Sequence, residues 1–235
     1  PSFRNFPGSF KSVEYRESIY VGYRYYDKAG KPVLFPFGHG LSYTSYEYSD
    51  LEIVPGERVK VSFSVKNTGD RAGREIVQLY VKNAESVLFK AEKELRAFKK
   101  IALEAGETKK VKFELENDAF SYWNSQVHDW HGEPGEYGIL IGASSADIRL
   151  SGKGKIKGDS SLEVPDYRVD LSEYYKLYNE VLSISEEQFA ALYGPLPPRE
   201  RDRSTPFDRN SLLCETESTL VGWLVLKMIR KQMRS

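Results

Sequence analysis

The sequence predicts a mainly β protein: an antiparallel β-sandwich with an irregular N-terminal arm and a helical C-terminal extension. Three observations carry this prediction. Short runs of alternating apolar and polar residues, separated by turn signals, fill residues 46–157. Pro and Gly crowd residues 1–45. From residue 158 onward the pattern changes to helical spacing with capping signals.

The arm contains Pro1, Pro7, Pro32 and Pro36 with many glycines. A stretch of this length without regular structure does not make a free-standing domain. It reads as the end of a neighbouring domain, or as a linker laid over a surface. One short strand, Ser18 to Tyr25, is expected within it.

In the centre, "RVKVSFSVKN" alternates strictly: Val59, Val61, Phe63 and Val65 point one way and Lys60, Ser62, Ser64 and Lys66 the other. "NTGDRAG" is a turn. "REIVQLYVKN" alternates again, and "KELRAFKKIAL" is a weaker strand. "EAGE" turns the chain, and "TKKVKFELE" places Val111, Phe113 and Leu115 on one face. "GEYGILIGAS" and "ADIRLSGKGKI" complete the set. Spacing of this kind predicts a sandwich, and the lack of βαβ alternation excludes a doubly wound sheet.

In the extension, Ser172 is placed to cap a helix over "EYYKLYNEVL". Ser185 and Gln188 form a capping box, and Gly194 with Pro195 stops the helix "EEQFAALYG". "PLPPRERDRSTPFDRN" is an extended charged connector, and the last helix ends in Lys and Arg that suit a helix C-terminus. These helices are too few to bury one another, so they are expected to lie on the sandwich or on another domain.

Composition excludes several functions. Hydrophobic residues make up 40% and charged residues 29%, enough for a packed core. Basic and acidic residues balance at 34 each, which leaves no excess charge to hold a nucleic acid. The single Cys214 allows no internal disulfide, and no Cys/His spacing points to a metal. The apolar run Leu220 to Leu226 is too short to span a bilayer. No signal peptide is visible, so a bacterial cytoplasmic location is expected over secretion.

The stretch "SIYVGYRYYDKAGKPVLFPFGHGLSYTSYEYSDL" resembles the end of the α/β sandwich domain of glycoside hydrolase family 3 and the linker that leaves it. "VKNTGDRAGREIVQLYV", "KELRAFKKIALEAGET" and "GEYGILIGASSADIRL" resemble the family's fibronectin type III-like domain, an immunoglobulin-like sandwich. "FAALYGPLPPRERD" and "PFDRNSLL" look like an extension of a bacterial subset that includes members with permuted domain order. The resemblance implies three parts: residues 1–45, the end of an α/β sandwich domain and its linker; residues 46–157, the fibronectin type III-like domain; and residues 158–235, a helical extension.

It further implies a β-glucosidase-type retaining hydrolase acting on β-linked glucosides or oligosaccharides. Such an enzyme uses two carboxylates about 5–5.5 Å apart, one as nucleophile and one as acid/base. In the family these sit in a barrel domain and on a loop of the α/β sandwich. No position of this chain matches either motif, so no catalytic residue is carried over, and the chain alone is expected to be inactive. Its expected partners are the enzyme's barrel and α/β sandwich domains, and a homo-oligomer is one way to cover its arm. No cofactor is implied. The rival reading is a stand-alone carbohydrate- or protein-binding fibronectin-like module.

Candidate substrate contacts are Tyr23, Arg24, Asp27, His39 and Trp130. The cluster Tyr20 to Asp27 reads either as a wall of a sugar site or as interdomain packing with Arg24 paired to a carboxylate. The second reading suits a terminal domain segment better. His39, between Gly38 and Gly40, reads as a substrate contact or a turn residue, with no partner base or nucleophile beside it. "FSYWNSQVHDWHGEPGEY" gathers Trp123, His128, Trp130 and His131. It reads as an aromatic sugar platform or as sandwich packing. A metal would need His128, Asp129 and His131 on a helix, where Gly132, Pro134 and Gly135 argue for a hairpin loop. Asp70, Arg71 and Arg74 belong to a surface turn. Trp223 and Leu224 are expected to dock the last helix, with a peripheral membrane helix as the lesser reading, and Cys214 is an ordinary free thiol.

Overall fold

The computed structural model describes residues 12–83, 85–177, 181–197 and 213–233. The alternating segments form strands β1 (Tyr46–Val54), β2 (Val59–Asn67), β3 (Gly73–Lys82), β4 (Glu94–Leu103), β5 (Thr108–Leu115), β6 (Ser121–Asn124), β7 (Asp129–Gly132), β8 (Gly135–Gly142) and β9 (Ile148–Ile156). They build a three-stranded sheet ordered β1-β2-β5, a four-stranded sheet ordered β4-β3-β8-β9 and a two-stranded ribbon of β6 and β7. Every pairing is antiparallel. The two larger sheets close on one core: Val59, Val61, Phe63 and Val65 from β2 face Val77, Leu79 and Val81 from β3 and Ile139 and Ile141 from β8. The period-two alternation of β2 is realised as the strict in-out burial that such a sandwich requires.

The weak pattern of β4 has a physical cause. It is an edge strand, paired on one side only with β3. Phe98, Lys99 and Lys100 face solvent there. Paired lysines on an edge oppose strand addition by another chain. Strand β1 is irregular for another reason: Asp50 adopts φ 55°, and the register with β2 shifts between Ser49 and Glu52.

The turn "NTGDRAG" is held from beneath. Asn67 is fully buried. Its Nδ2 donates to Arg71 O at 2.8 Å and Leu103 O at 3.2 Å, and its Oδ1 accepts from Gly69 N at 3.1 Å and Thr44 Oγ1 at 2.5 Å. One amide therefore ties together a turn, the end of β4 and the arm. Asp70 and Arg71 pair at 3.4 Å on the exposed side.

Two expected elements take another form. The segment Ser18 to Tyr25 is not a strand. Ser18 at φ 51° and Gly22 at φ 53° interrupt any extended run, and helix α1 (Tyr23–Lys28) follows. Helical spacing puts Tyr25 and Ala29 on one buried face, four residues apart. The arm is otherwise irregular. In the extension, Ser172 begins a short 3-10 turn, Ser172–Tyr174, with no side-chain cap, and Lys176 and Leu177 are not helical. Residues 178–180 of that expected helix lie outside the described residues, as do most of the charged connector and residues 1–11.

The helix expected after Ser185 is present as α2 (Glu186–Tyr193), and Ser185 Oγ accepts from Gln188 N at 3.3 Å. Gln188 does not return the bond. Its side chain accepts from Glu173 N at 2.9 Å and donates to Ser172 Oγ at 3.2 Å, tying α2 to the preceding turn. The last helix is α3 (Leu220–Gln232), capped by Thr219 and ending in Arg230 and Lys231.

Arm and extension, which flank the sandwich in sequence, share a second core. Tyr20, Tyr25 and Ala29 pack with Leu171, Tyr174, Leu177, Leu182, Ile184 and Phe189. Phe89, in the β3–β4 connection, stacks on Tyr174 with ring centroids 4.8 Å apart and meets Tyr20 at 6.2 Å. The sandwich thus contributes the residue that anchors this second core.

Candidate functional site

Tyr23, Arg24 and Asp27 of helix α1 dock on strand β4 and on Lys93 just before it. Tyr23 Oη accepts from Leu95 N at 2.9 Å, its ring stacks on Phe37 at 4.5 Å, and it meets the edge of Tyr80 at 6.2 Å. Asp27 Oδ2 lies 2.8 Å from Lys93 Nζ, both side chains being largely buried. Arg24 Nη2 lies 3.2 Å from Glu94 Oε1. Arg96 Nη2 lies 2.7 Å from Glu94 Oε2, so one carboxylate holds two guanidinium groups.

The β6–β7 hairpin contributes to the same region. Register pairs Trp123 with Trp130 and Tyr122 with His131. Both indoles are exposed, 54% and 60%, and meet edge to face at 5.9 Å and 83°. His131 is buried, with Nε2 2.9 Å from Asp159 O and Nδ1 2.8 Å from Tyr122 Oη. A carbonyl only accepts, so Nε2 carries a proton and donates to it. Burial and the Glu133 carboxylate push the Tyr122 hydroxyl up to about 12. Glu133 itself is pinned by Lys90 Nζ at 2.6 Å and Asn83 Nδ2 at 3.1 Å. The same pair of causes raises Tyr137 to about 12.

This region holds a cleft of about 470 Å³, whose lining includes Arg24, Glu94, Arg96, Trp123 and Trp130. The structure therefore brings two of the five candidates, Arg24 and Trp130, into one cavity. Tyr23 and Asp27 are spent on docking α1. His39 is exposed in a turn closed by its N–H to Pro36 O at 3.0 Å, stacked on Phe35, and outside the cleft lining. His128 takes φ 53° in the hairpin turn. Among the described residues no group of three His, Cys, Asp or Glu side chains could hold a metal ion.

Sequence reasoning missed Glu94 and Arg96. Their spacing of two on a strand places both on one face, which was the available signal. Trp223 and Leu224 are partly exposed on α3, and Lys227 Nζ lies 4.8 Å from the Trp223 ring. No helix among the described residues is long and apolar enough to cross a membrane. The side chain of Cys214 lies outside the described set.

The sheets, core and topology define a fibronectin type III-like module, and residues 75–145 match the fibronectin type III-like domain family. The chain is 50% identical over 169 residues to thermostable beta-glucosidase B of Acetivibrio thermocellus, a match covering 70% of this chain and 22% of that protein. It is 39% identical over 165 residues to an exo-alpha-(1->6)-L-arabinopyranosidase of Bifidobacterium breve, covering 69% and 22%. A GH3 beta-glucosidase crystal structure from Bifidobacterium adolescentis superposes with a TM-score of 0.65 at 30% identity, over 96% of this chain and 28% of that one. The chain spans about a fifth of the length of the curated relatives it matches. The chain corresponds to the portion of glycoside hydrolase family 3 beta-glucosidases that carries the fibronectin type III-like module.

Proposed function

We propose that this chain is the non-catalytic portion of a retaining, β-glucosidase-type enzyme acting on β-linked glucosides, and that it braces the enzyme's barrel and α/β sandwich domains. In this reading residues 1–45 end the α/β sandwich and leave it as a linker, residues 46–157 are the module, and residues 158–235 the helical extension. The observation that carries it is the two-sided arm. One side is fixed to the module by Tyr23 on Phe37 and by Gln78 Nε2 donating to Gly38 O at 3.1 Å. The other presents Leu34 at 87%, Phe35 at 70%, Leu41 at 95% and Tyr43 at 95% exposure. A run of exposed large apolar side chains marks a surface that other protein covers.

A second observation supports the non-catalytic role. Relatives named for different glycosidic activities share this portion at 50% and 39% identity. That pattern suits a portion which leaves the choice of bond to other domains. Tyr23 and Asp27 then act as docking residues, not sugar contacts. The test is a colorimetric aryl-β-glucoside assay on the chain alone. Release of the chromophore at the buffer rate is expected, and turnover above buffer would sink the reading.

A further inference from the structure

We propose that the cleft between the β6–β7 hairpin, strand β4 and helix α1 binds a pyranose oligosaccharide. Its volume of about 470 Å³ falls within the range of about 300–1,000 Å³ usual for small-molecule sites. Its floor is apolar, from Val81, Ala119 and Phe120.

The hairpin supplies the recognition surface. Trp123 and Trp130 contribute little to the sandwich core, since both are more than half exposed. A cross-strand pair of exposed indoles retains apolar area in water without burying it. Their edge-to-face angle of 83° makes a corner of two indoles, each more than half exposed. A pyranose ring has the matching form. Its axial C–H groups make an apolar, weakly positive face that packs on the negative face of an indole. Its rim of hydroxyls needs donors and acceptors close together.

In the same cleft, Arg24, Glu94 and Arg96 offer both kinds. Glu94 is shared between two guanidinium groups, at 3.2 and 2.7 Å. The Nε–H groups of Arg24 and Arg96 are buried and have no hydrogen-bond partner among the described residues. Buried donors normally find partners. Both arginines line the cleft, and their donors outnumber the acceptors of the one carboxylate they share, so a ligand there meets hydrogen-bonding capacity to spare. Hydroxyl groups of one or two sugar units, held against the Trp130 face, use this capacity without introducing a charge.

This inference goes beyond the bracing role; only the choice of probe rests on the β-glucoside reading. Cellotetraose, xylotetraose and mannotetraose would be titrated into the 235-residue chain by calorimetry. In parallel, emission would be followed in a Trp223→Phe background, where fluorescence reports Trp123 and Trp130 alone because the chain has 3 Trp. Saturable heat and a shift in emission with at least one tetraose are expected. Trp130→Ala, at a solvent-facing position, should weaken binding about tenfold or more, and Glu94→Gln should weaken it with the hairpin intact by circular dichroism. No saturable signal with any of the three sugars, as would follow if a protein segment fills the cleft, overturns the proposal. So does unchanged affinity in Trp130→Ala. The aryl-glucoside assay reports on the non-catalytic reading independently, so the two fail separately.

Discussion

Tyr23 lies flat on Phe37, with ring centroids 4.5 Å apart and planes 17° apart. The two residues belong to the two halves of one aromatic and glycine-rich stretch. Their contact folds that stretch back on itself over β4 and β3, where Tyr23 also receives the Leu95 N–H. The stretch is therefore a clamp between arm and sandwich.

Tyr23→Ala should destabilise the chain by about 2–3 kcal/mol, below the full-burial value for a large aromatic because Tyr23 is only partly buried. Tyr23→Phe keeps the stacking and loses only the acceptor for Leu95 N, for about 1 kcal/mol. Urea denaturation of both variants checks the order. Equal losses would show that the hydroxyl, not the stacked ring, dominates.

Gly38→Ala and Gly40→Ala should behave oppositely although the two glycines flank one histidine. Gly38 has φ 79°, and a Cβ there would lie 2.1 Å from Gln78 Oε1. Gln78 is buried, donates to Ala143 O at 2.7 Å and accepts from Tyr80 Oη at 2.6 Å, so it has little room to yield. A cost of about 2–4 kcal/mol is expected from backbone strain and the disturbed side chain. A Cβ on Gly40 meets nothing within 4 Å. Limited proteolysis should cut the arm of Gly38→Ala faster and leave Gly40→Ala like the parent protein.

Asn67→Ala should lower the thermal midpoint more than any substitution of its exposed neighbours Asp70 and Arg71. It removes the partner of the Arg71 and Leu103 carbonyls and of the Gly69 N–H, the Leu103 bond being buried and the other two part-buried. A loss of about 2–4 kcal/mol follows. Asn67→Asp keeps the size but cannot donate, so it should not rescue. Calorimetric melting of the three variants decides this.

Glu75 makes stability pH-dependent. Burial holds its carboxyl above the usual carboxylate range, opposed by the Tyr48 hydrogen bond at 2.7 Å and by Arg149. The folded state then binds this proton more tightly than the unfolded chain. Its contribution is greatest below the ordinary glutamate range near about 4.3 and falls as pH rises through the raised folded value. Glu75→Gln keeps an acceptor for Tyr48 without the charge. It should raise the denaturation midpoint at pH 7, where the buried carboxyl is charged, and change it less at pH 4, where the raised group favours its neutral form. An equal gain at both pH values would rule out this origin.

Much of the fold was legible because a half-buried strand writes itself into sequence with a period of two. Val59 to Val65 and Val111 to Leu115 show it directly. Strand β1 was not legible, since its bulge at Asp50 breaks the period. The helix over Tyr23–Lys28 was hidden because its one buried face is Tyr25 and Ala29, too short a repeat to recognise. Of the site, Trp130 and Arg24 stood out by residue type, whereas Glu94 and Arg96 looked like ordinary surface charge on an edge strand.

By itself the sequence determined strands β2 to β5, β8 and β9, the turns between them, the cap at Ser185 and the likeness of residues 18–51 to a family seam, because each depends on neighbours a few positions apart. Only the tertiary structure decided that arm and extension share a core, that Asn67 ties three segments and that Arg24 and Trp130 line one cleft. Tyr20 donates to Tyr174 O across 154 positions. A contact at that separation leaves no periodic trace, and arises only when the sandwich between the two segments brings them to one side.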